Sequence, residues 1–237
     1  MNFKALWMQL SMKWYSPRGC AFFLLCLVTI PCYSIESYDK FWGLITYNDK
    51  YKQFFYTIEP QIRLVNLPGA YDQFLLNTGG GVEVMPKLQL WFGQTIANAS
   101  PYNVEEDVSP NDLNEYRLWQ QLLWRSDPVI IRSRLEERYS LENAPWSVRL
   151  RERIYWTKKL TEKQSLVLSD ELLVNLKTTP WIVTSTLDQN RAYLGILHQL
   201  SPRISINFSY MNQYIFRLAG AESNHALVVN VFINMPV

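Results

Sequence analysis

Cysteine is nearly missing from this chain. Three occur in 237 residues, Cys20, Cys26 and Cys32, all within the first 34. Beyond that segment there is no thiol, which excludes disulfides, cysteine-based zinc sites and a thiol nucleophile together. Histidine is scarce as well, with only His198 and His225. Neither has a convincing same-face serine partner, because Ser223 precedes the last strand pattern and Ser201 lies in a turn; no catalytic residue, metal or cofactor is expected. An excess of charge of one sign is also lacking. There are 23 basic and 21 acidic residues, net +2, so the footprint of a nucleic-acid partner is missing. No apolar run reaches the roughly 18 residues that cross a bilayer as a helix. A mean hydropathy of −0.13 is far too polar for a helical membrane protein. Glycine is limited to 9 residues and no low-complexity tract occurs.

The first 34 residues stand apart. Lys4, Lys13 and Arg18 are basic, and no acid precedes Glu36. The run from Cys20 to Ile30 is apolar but too short to span as a helix, and small residues follow around Pro31–Ser34. This layout predicts a cleaved secretory signal over 1–34 and a single β-barrel domain over 35–237. A cysteine-free exported chain suits passage through an oxidising periplasm.

What is abundant is aromatic residues, 14%, and arginine in strand period. Arg132, Arg134, Glu136 and Arg138 recur at every second residue, as do Arg149, Arg151 and Arg153. Ile131, Leu135, Val148, Leu150 and Ile154 fall between them. Period two puts the two sets on opposite faces of a strand, whereas a helix would scatter the arginines around its circumference. Similar alternation recurs along the chain in eleven patterns, from Phe41–Tyr47 to Asn224–Val237. Short and long connections alternate. Gly79-Gly-Gly81 is expected to bend the third strand or to clear space beside it.

A soluble barrel keeps its apolar face inward, and about eight arginines there would be very costly. A membrane barrel reverses the faces, with apolar residues toward lipid and polar residues toward the lumen. Tyr116 with Trp124, and Trp146 with Trp156, bound oily faces as interfacial girdles do. The expected fold is therefore all-β: an antiparallel, up-and-down transmembrane β-barrel of about 12 strands, range 10–12, in the bacterial outer membrane. An even count needs one strand more than the eleven patterns. The loops at 97–114 and 177–187 and the segment before Phe41 are candidates for it. Short turns at the periplasmic side would otherwise start the chain on the outer side. Glu137, Glu152 and Asp170 fall on oily faces, so either bulges shift the register there or that surface meets something other than lipid.

Folding the short hairpins gives approximate partners. Arg117 falls near Glu136 and Glu115 near Arg138. Glu136 falls near Arg149 and Arg134 near Arg151. Arg149 falls near Glu171, and Glu171 near Arg191. The expected lumenal belt thus comprises Arg117, Arg134, Glu136, Arg138, Arg149, Arg151, Arg153, Glu171 and Arg191. Opposite charges across a strand pair stabilise the sheet. Arg132 and Arg153 stay unmatched and mark where an anion would bind. The belt reads either as a staple of a narrow barrel or as a constriction favouring anionic solutes.

Arg134-Leu-Glu-Glu-Arg138, Arg149-Leu-Arg-Glu-Arg153, Asp170-Glu171, Asp188-Gln-Asn-Arg191 with Gly195, Tyr210-Met-Asn-Gln-Tyr214 and Asn224-His225 resemble a family of uncharacterised bacterial envelope proteins, a domain of unknown function. The resemblance implies an outer-membrane, barrel-like protein and brings no activity and no catalytic residues. Outer-membrane lipid, the outer-membrane assembly machinery and small anionic solutes are the expected partners. A lipid-modifying outer-membrane enzyme and a soluble periplasmic binding module are the alternatives.

Overall fold

A computed structural model describes residues 37–66, 69–99, 113–141, 145–182, 184–217 and 220–234. The expected leader, 1–34, and with it all three cysteines, lies outside the described residues. So do most of the loop at 97–114 and the last three residues of the expected terminal strand.

Among the described residues eleven strands follow one another: β1 (Asp39–Tyr51), β2 (Phe54–Val65), β3 (Ala70–Met85), β4 (Leu88–Ala99), β5 (Leu113–Ser126), β6 (Val129–Ser140), β7 (Ser147–Lys159), β8 (Gln164–Lys177), β9 (Thr184–Gln199), β10 (Ile204–Arg217) and β11 (Gly220–Asn234). They close into one all-β barrel, each strand pairing with its chain neighbours and β11 with β1. Every expected strand pattern is a strand, mostly extended by a few residues. The count lies within the expected range. No twelfth strand is needed for closure, because an odd number leaves the first and last strands running the same way. They close in parallel, from Asp39 opposite His225 to Asn48 opposite Asn234. The seam is secured at its start, where His225 N–H donates to the Tyr38 carbonyl at 3.0 Å. The other ten pairings are antiparallel.

Closure places the start of β1 at the rim carrying the longer connections and the end of β11 at the rim carrying the short turns. Strands of 12 to 16 residues exceed the roughly 9–11 needed to cross a bilayer in a tilted barrel. The outward face is largely apolar, and the inward face carries most of the charged and polar side chains. Ile58, Phe92, Ile96, Leu122, Leu194 and Phe208 are exposed on the outside. Tyr56, Trp124 and Trp156 ring the short-turn end. Phe41, Tyr116, Tyr139 and Tyr214 ring the other, all at outward positions of their strands. Inside, Glu136, Glu171 and Asn224 are fully buried.

Glycine makes room for tryptophan on the β3–β5 wall. A Cβ at Gly79 would lie 2.4 Å from Trp119 Cη2, and one at Gly93 2.2 Å from Trp119 Cζ2. Trp91 similarly lies on Gly81. The glycine run therefore clears space, as one of its two expected roles had it. Gly80 between them points outward and would meet only the Phe55 carbonyl, at 3.7 Å. Gly79→Ala is expected to destabilise by about 1–3 kcal/mol through overpacking. Gly80→Ala should stay within about 0.5 kcal/mol of wild type. Urea unfolding of the two variants, refolded side by side, checks the contrast.

Candidate functional site

The lumen holds a cavity of about 760 Å³ lined from both rims: Asn48, Arg125, Thr157 and Asn234 at the short-turn end, Ala99, Asn114, Ser140 and Arg217 at the other. Its walls differ in chemistry. Trp91, Trp119 and Leu123, with Phe55 and Ile130 against them, fill the β2–β6 side. Trp42, Met211, Ala226 and Val228 fill the side made by β1, β10 and β11. The wall from β6 to β9 carries the arginine ladder. Eleven arginines line the cavity, joined by Glu59, Glu115, Glu171 and Asp188. Glu136 and Glu222 are buried in the wall. Among the described residues the lumen is therefore strongly positive.

All nine belt residues face inward, and two carboxylates organise most of them. Glu136 accepts from Arg149 at 2.7 Å and Arg151 at 2.7 Å, and Arg134 stands 4.0 Å away. Glu171 accepts from Arg151 at 2.7 Å, from Arg191 at 3.4 Å and from Arg132. Arg151 thus bridges the two carboxylates. Asp188 takes the other side of Arg149 at 2.8 Å. Nearer the long-loop rim, Glu115 holds Arg117 at 2.8 Å and Arg138 at 2.5 Å. Multiple charge-assisted hydrogen bonds of this kind offset the cost of burying each ion.

Of the expected pairings, Glu136–Arg149, Arg134 opposite Arg151, and Glu171 opposite Arg191 are where the hairpins put them. Two registers differ. Trp119, not Arg117, lies opposite Glu136, so β5–β6 is shifted by two residues. Glu115 still reaches Arg138 diagonally. On β7–β8 Arg153, not Arg149, lies opposite Glu171. That hairpin turns later than its charged sequence implies, since β7 continues to Lys159 before β8 begins at Gln164. Arg132 is not unmatched, because its guanidinium passes over β7 to Glu171 on β8. Arg153 has no carboxylate partner among the described residues. It donates to Ser169 at 3.0 Å and lies against the rings of Tyr155 and Tyr193, 4.2 and 4.3 Å from their centroids.

Several contributors were not singled out. Asp188 sits where β9 bulges against Leu173 and Val174, so it and Gln189 both line the cavity and strict alternation misplaces it. Arg63 stacks on Trp42 at 3.7 Å, with Arg191 at 5.1 Å from the same ring. Arg63 was legible as a polar-face residue of β2, but the aromatic beneath it lies on another strand. Five buried N–H groups, the Nε atoms of Arg63, Arg117 and Arg132 and the indole nitrogens of Trp42 and Trp119, have no acceptor among the described residues.

Glu137, Glu152 and Asp170 do face outward. The bulges lie at other positions. His225 also faces out, its Nδ1 2.5 Å from the Tyr210 hydroxyl, while Ser223 accepts from Asn212. Among the described residues no cluster of three or more His, Cys, Asp or Glu is placed to hold a metal ion.

The chain is 27% identical to an uncharacterized protein of Methylorubrum extorquens over 187 residues, which covers 75% of this chain and 79% of that one. Residues 39–224 match the family described as protein of unknown function (DUF2490). That span runs from the first residue of β1 into β11, and the chain belongs to this family.

Proposed function

We propose that this barrel resides in a bacterial outer membrane and that its arginine-rich lumen admits small anionic solutes. The single observation that carries the reading is the inverted polarity: an apolar exterior edged by two aromatic rings around an interior lined by eleven arginines. Water is the solvent such an interior suits and lipid the solvent such an exterior suits. On the residues that line the cavity the unpartnered buried atoms are the five N–H donors, which favours an acceptor-rich solute over a cation; the unpartnered Ser147, Asn175 and Thr179 oxygens belong to residues outside that lining.

Arg63, Arg134 and Arg153 are the arginines to test: among the described residues Arg63 and Arg153 form no ion pair, and Arg134 makes only a 4.0 Å contact with Glu136, which keeps Arg149 and Arg151. Gln73 accepts from Arg63 at 2.7 Å, Gln121 from Arg134 at 2.7 Å and Ser169 from Arg153 at 3.0 Å. Replacing them removes charge without orphaning an acid. In a planar bilayer the wild-type protein should conduct with anion preference. Arg153→Gln should lower the anion-to-cation permeability ratio by up to about fivefold, since one charge at ~4 Å in water is worth about 1 kcal/mol. A silent bilayer, or a ratio unmoved when all three are replaced, refutes anion passage. Recovery of the protein outside the outer-membrane fraction refutes the location.

A further inference from the structure

The outer wall of β6–β11 carries a polar seam that starts between the two aromatic rings on β6–β9 and reaches the long-connection ring on β10–β11, where Ser223 lies opposite Tyr214 and His225 opposite Asp39. Ser133 Oγ donates to Glu152 at 2.6 Å, Asn190 donates to both oxygens of Asp170 at 3.1 and 3.2 Å, and Asn212 donates to Ser223 at 3.0 Å. Asp170 and Asn190 lie near the middle of β8 and β9. Lipid-facing carboxylates at that depth are costly. Each has one neutral donor and no cationic partner among the described residues. The two ends of the seam differ in chemistry. Glu152 and Asp170 on β7 and β8 are acidic. On β10 and β11, Asn212 and the exposed His225 offer N–H groups.

We propose that this seam is the interface of a homodimer, its occupant a second copy of the chain. The inference rests on the membrane reading above, since only lipid leaves the seam without water. Two copies inserted the same way are related by a two-fold axis perpendicular to the membrane, and such an interface must be self-complementary. An axis in front of β9 sets β7–β8 of one copy against β10–β11 of the other. Glu152 and Asp170 then face the partner copy's Asn212 and His225 residues, and Asn190 faces its own symmetry mate. The acid end and the donor end of a single seam thereby supply what each lacks. A seam serving an unrelated partner would have no need of both.

The test uses the refolded protein in liposomes and in density-matched detergent. Sedimentation equilibrium should give twice the chain mass. Asn190→Cys should cross-link oxidatively between copies, while wild-type protein prepared in parallel should not. Asp170→Leu combined with Asn212→Leu presents a more lipid-compatible surface and should lower the cross-linked fraction of Asn190→Cys by about tenfold, ~1.4 kcal/mol. Monomer mass in both media, or Asn190→Cys that stays uncross-linked in folded, heat-modifiable protein, overturns the dimer. Cross-linking that survives the two leucines overturns the seam as its cause. Any of these results leaves the lumenal reading standing if the protein still floats with liposomes and conducts. Protein that neither floats nor conducts removes the premise and the dimer with it.

Discussion

Glu171→Ala should be the most damaging single substitution in the lumen, costing about 3–5 kcal/mol. Glu171 is wholly buried and accepts from Arg132, Arg151 and Arg191. Removing it leaves Arg132 and Arg191 with no carboxylate among the described residues. Arg151 keeps only Glu136, at 2.7 Å. An uncompensated buried charge is expensive because water cannot replace the lost acceptor where the wall is packed. Glu136→Ala provides the comparison. Glu136 is equally buried and has as many arginines around it. Yet Arg149 would keep Asp188 at 2.8 Å and Arg151 would keep Glu171 at 2.7 Å. Its loss should therefore cost less than that of Glu171. Urea unfolding of the two variants in one detergent reads the order directly. Equal costs would mean that the lumen is wet enough to screen the difference. A double variant, Glu171→Leu with Arg132→Leu, should recover part of the loss, since it removes charges of both signs together.

Trp119→Ala is expected to cost about 3–5 kcal/mol and to enlarge the lumen. The indole is 2% exposed and lies across Gly79 and Gly93. The Arg134 guanidinium stacks on it at 4.1 Å. Truncation removes the packing on two strands and frees Arg134 to move. Under the proposed anion passage, conductance per channel should rise in the same variant that unfolds more easily, a combination that simple loss of fold does not produce. Gly79→Ala in the Trp119→Ala background should lose part of its own penalty, since the ring is nearest the added methyl, at 2.4 Å, while the Phe92 carbonyl stays 2.9 Å away. A coupling of about 1 kcal/mol or more in this cycle would assign the glycine run to accommodating the ring.

Sequence by itself determined which side chains face in and which face out. Alternation is a local property of a strand, so Arg149, Arg151 and Arg153 share one face whatever the partners are. It determined the pairs joined by hairpins whose turns were placed correctly, such as Glu136 with Arg149 and Glu171 with Arg191. It also placed Glu137, Glu152 and Asp170 on the outer face, against the hydrophobic pattern, and they are there. Register across β5–β6 and β7–β8 was less legible, because a turn displaced by one or two residues moves every pairing by twice that amount. Three features were decided by the tertiary structure alone. Parallel closure of β1 on β11 depends on the strand count of the whole chain. Asp188 reaches the lumen through a bulge that breaks the alternation. Arg132 meets Glu171, and Trp42 meets Arg191, across strands that are not neighbours. Such contacts depend on how tightly the sheet curves and how far a side chain extends across the lumen, and no short stretch of sequence encodes either.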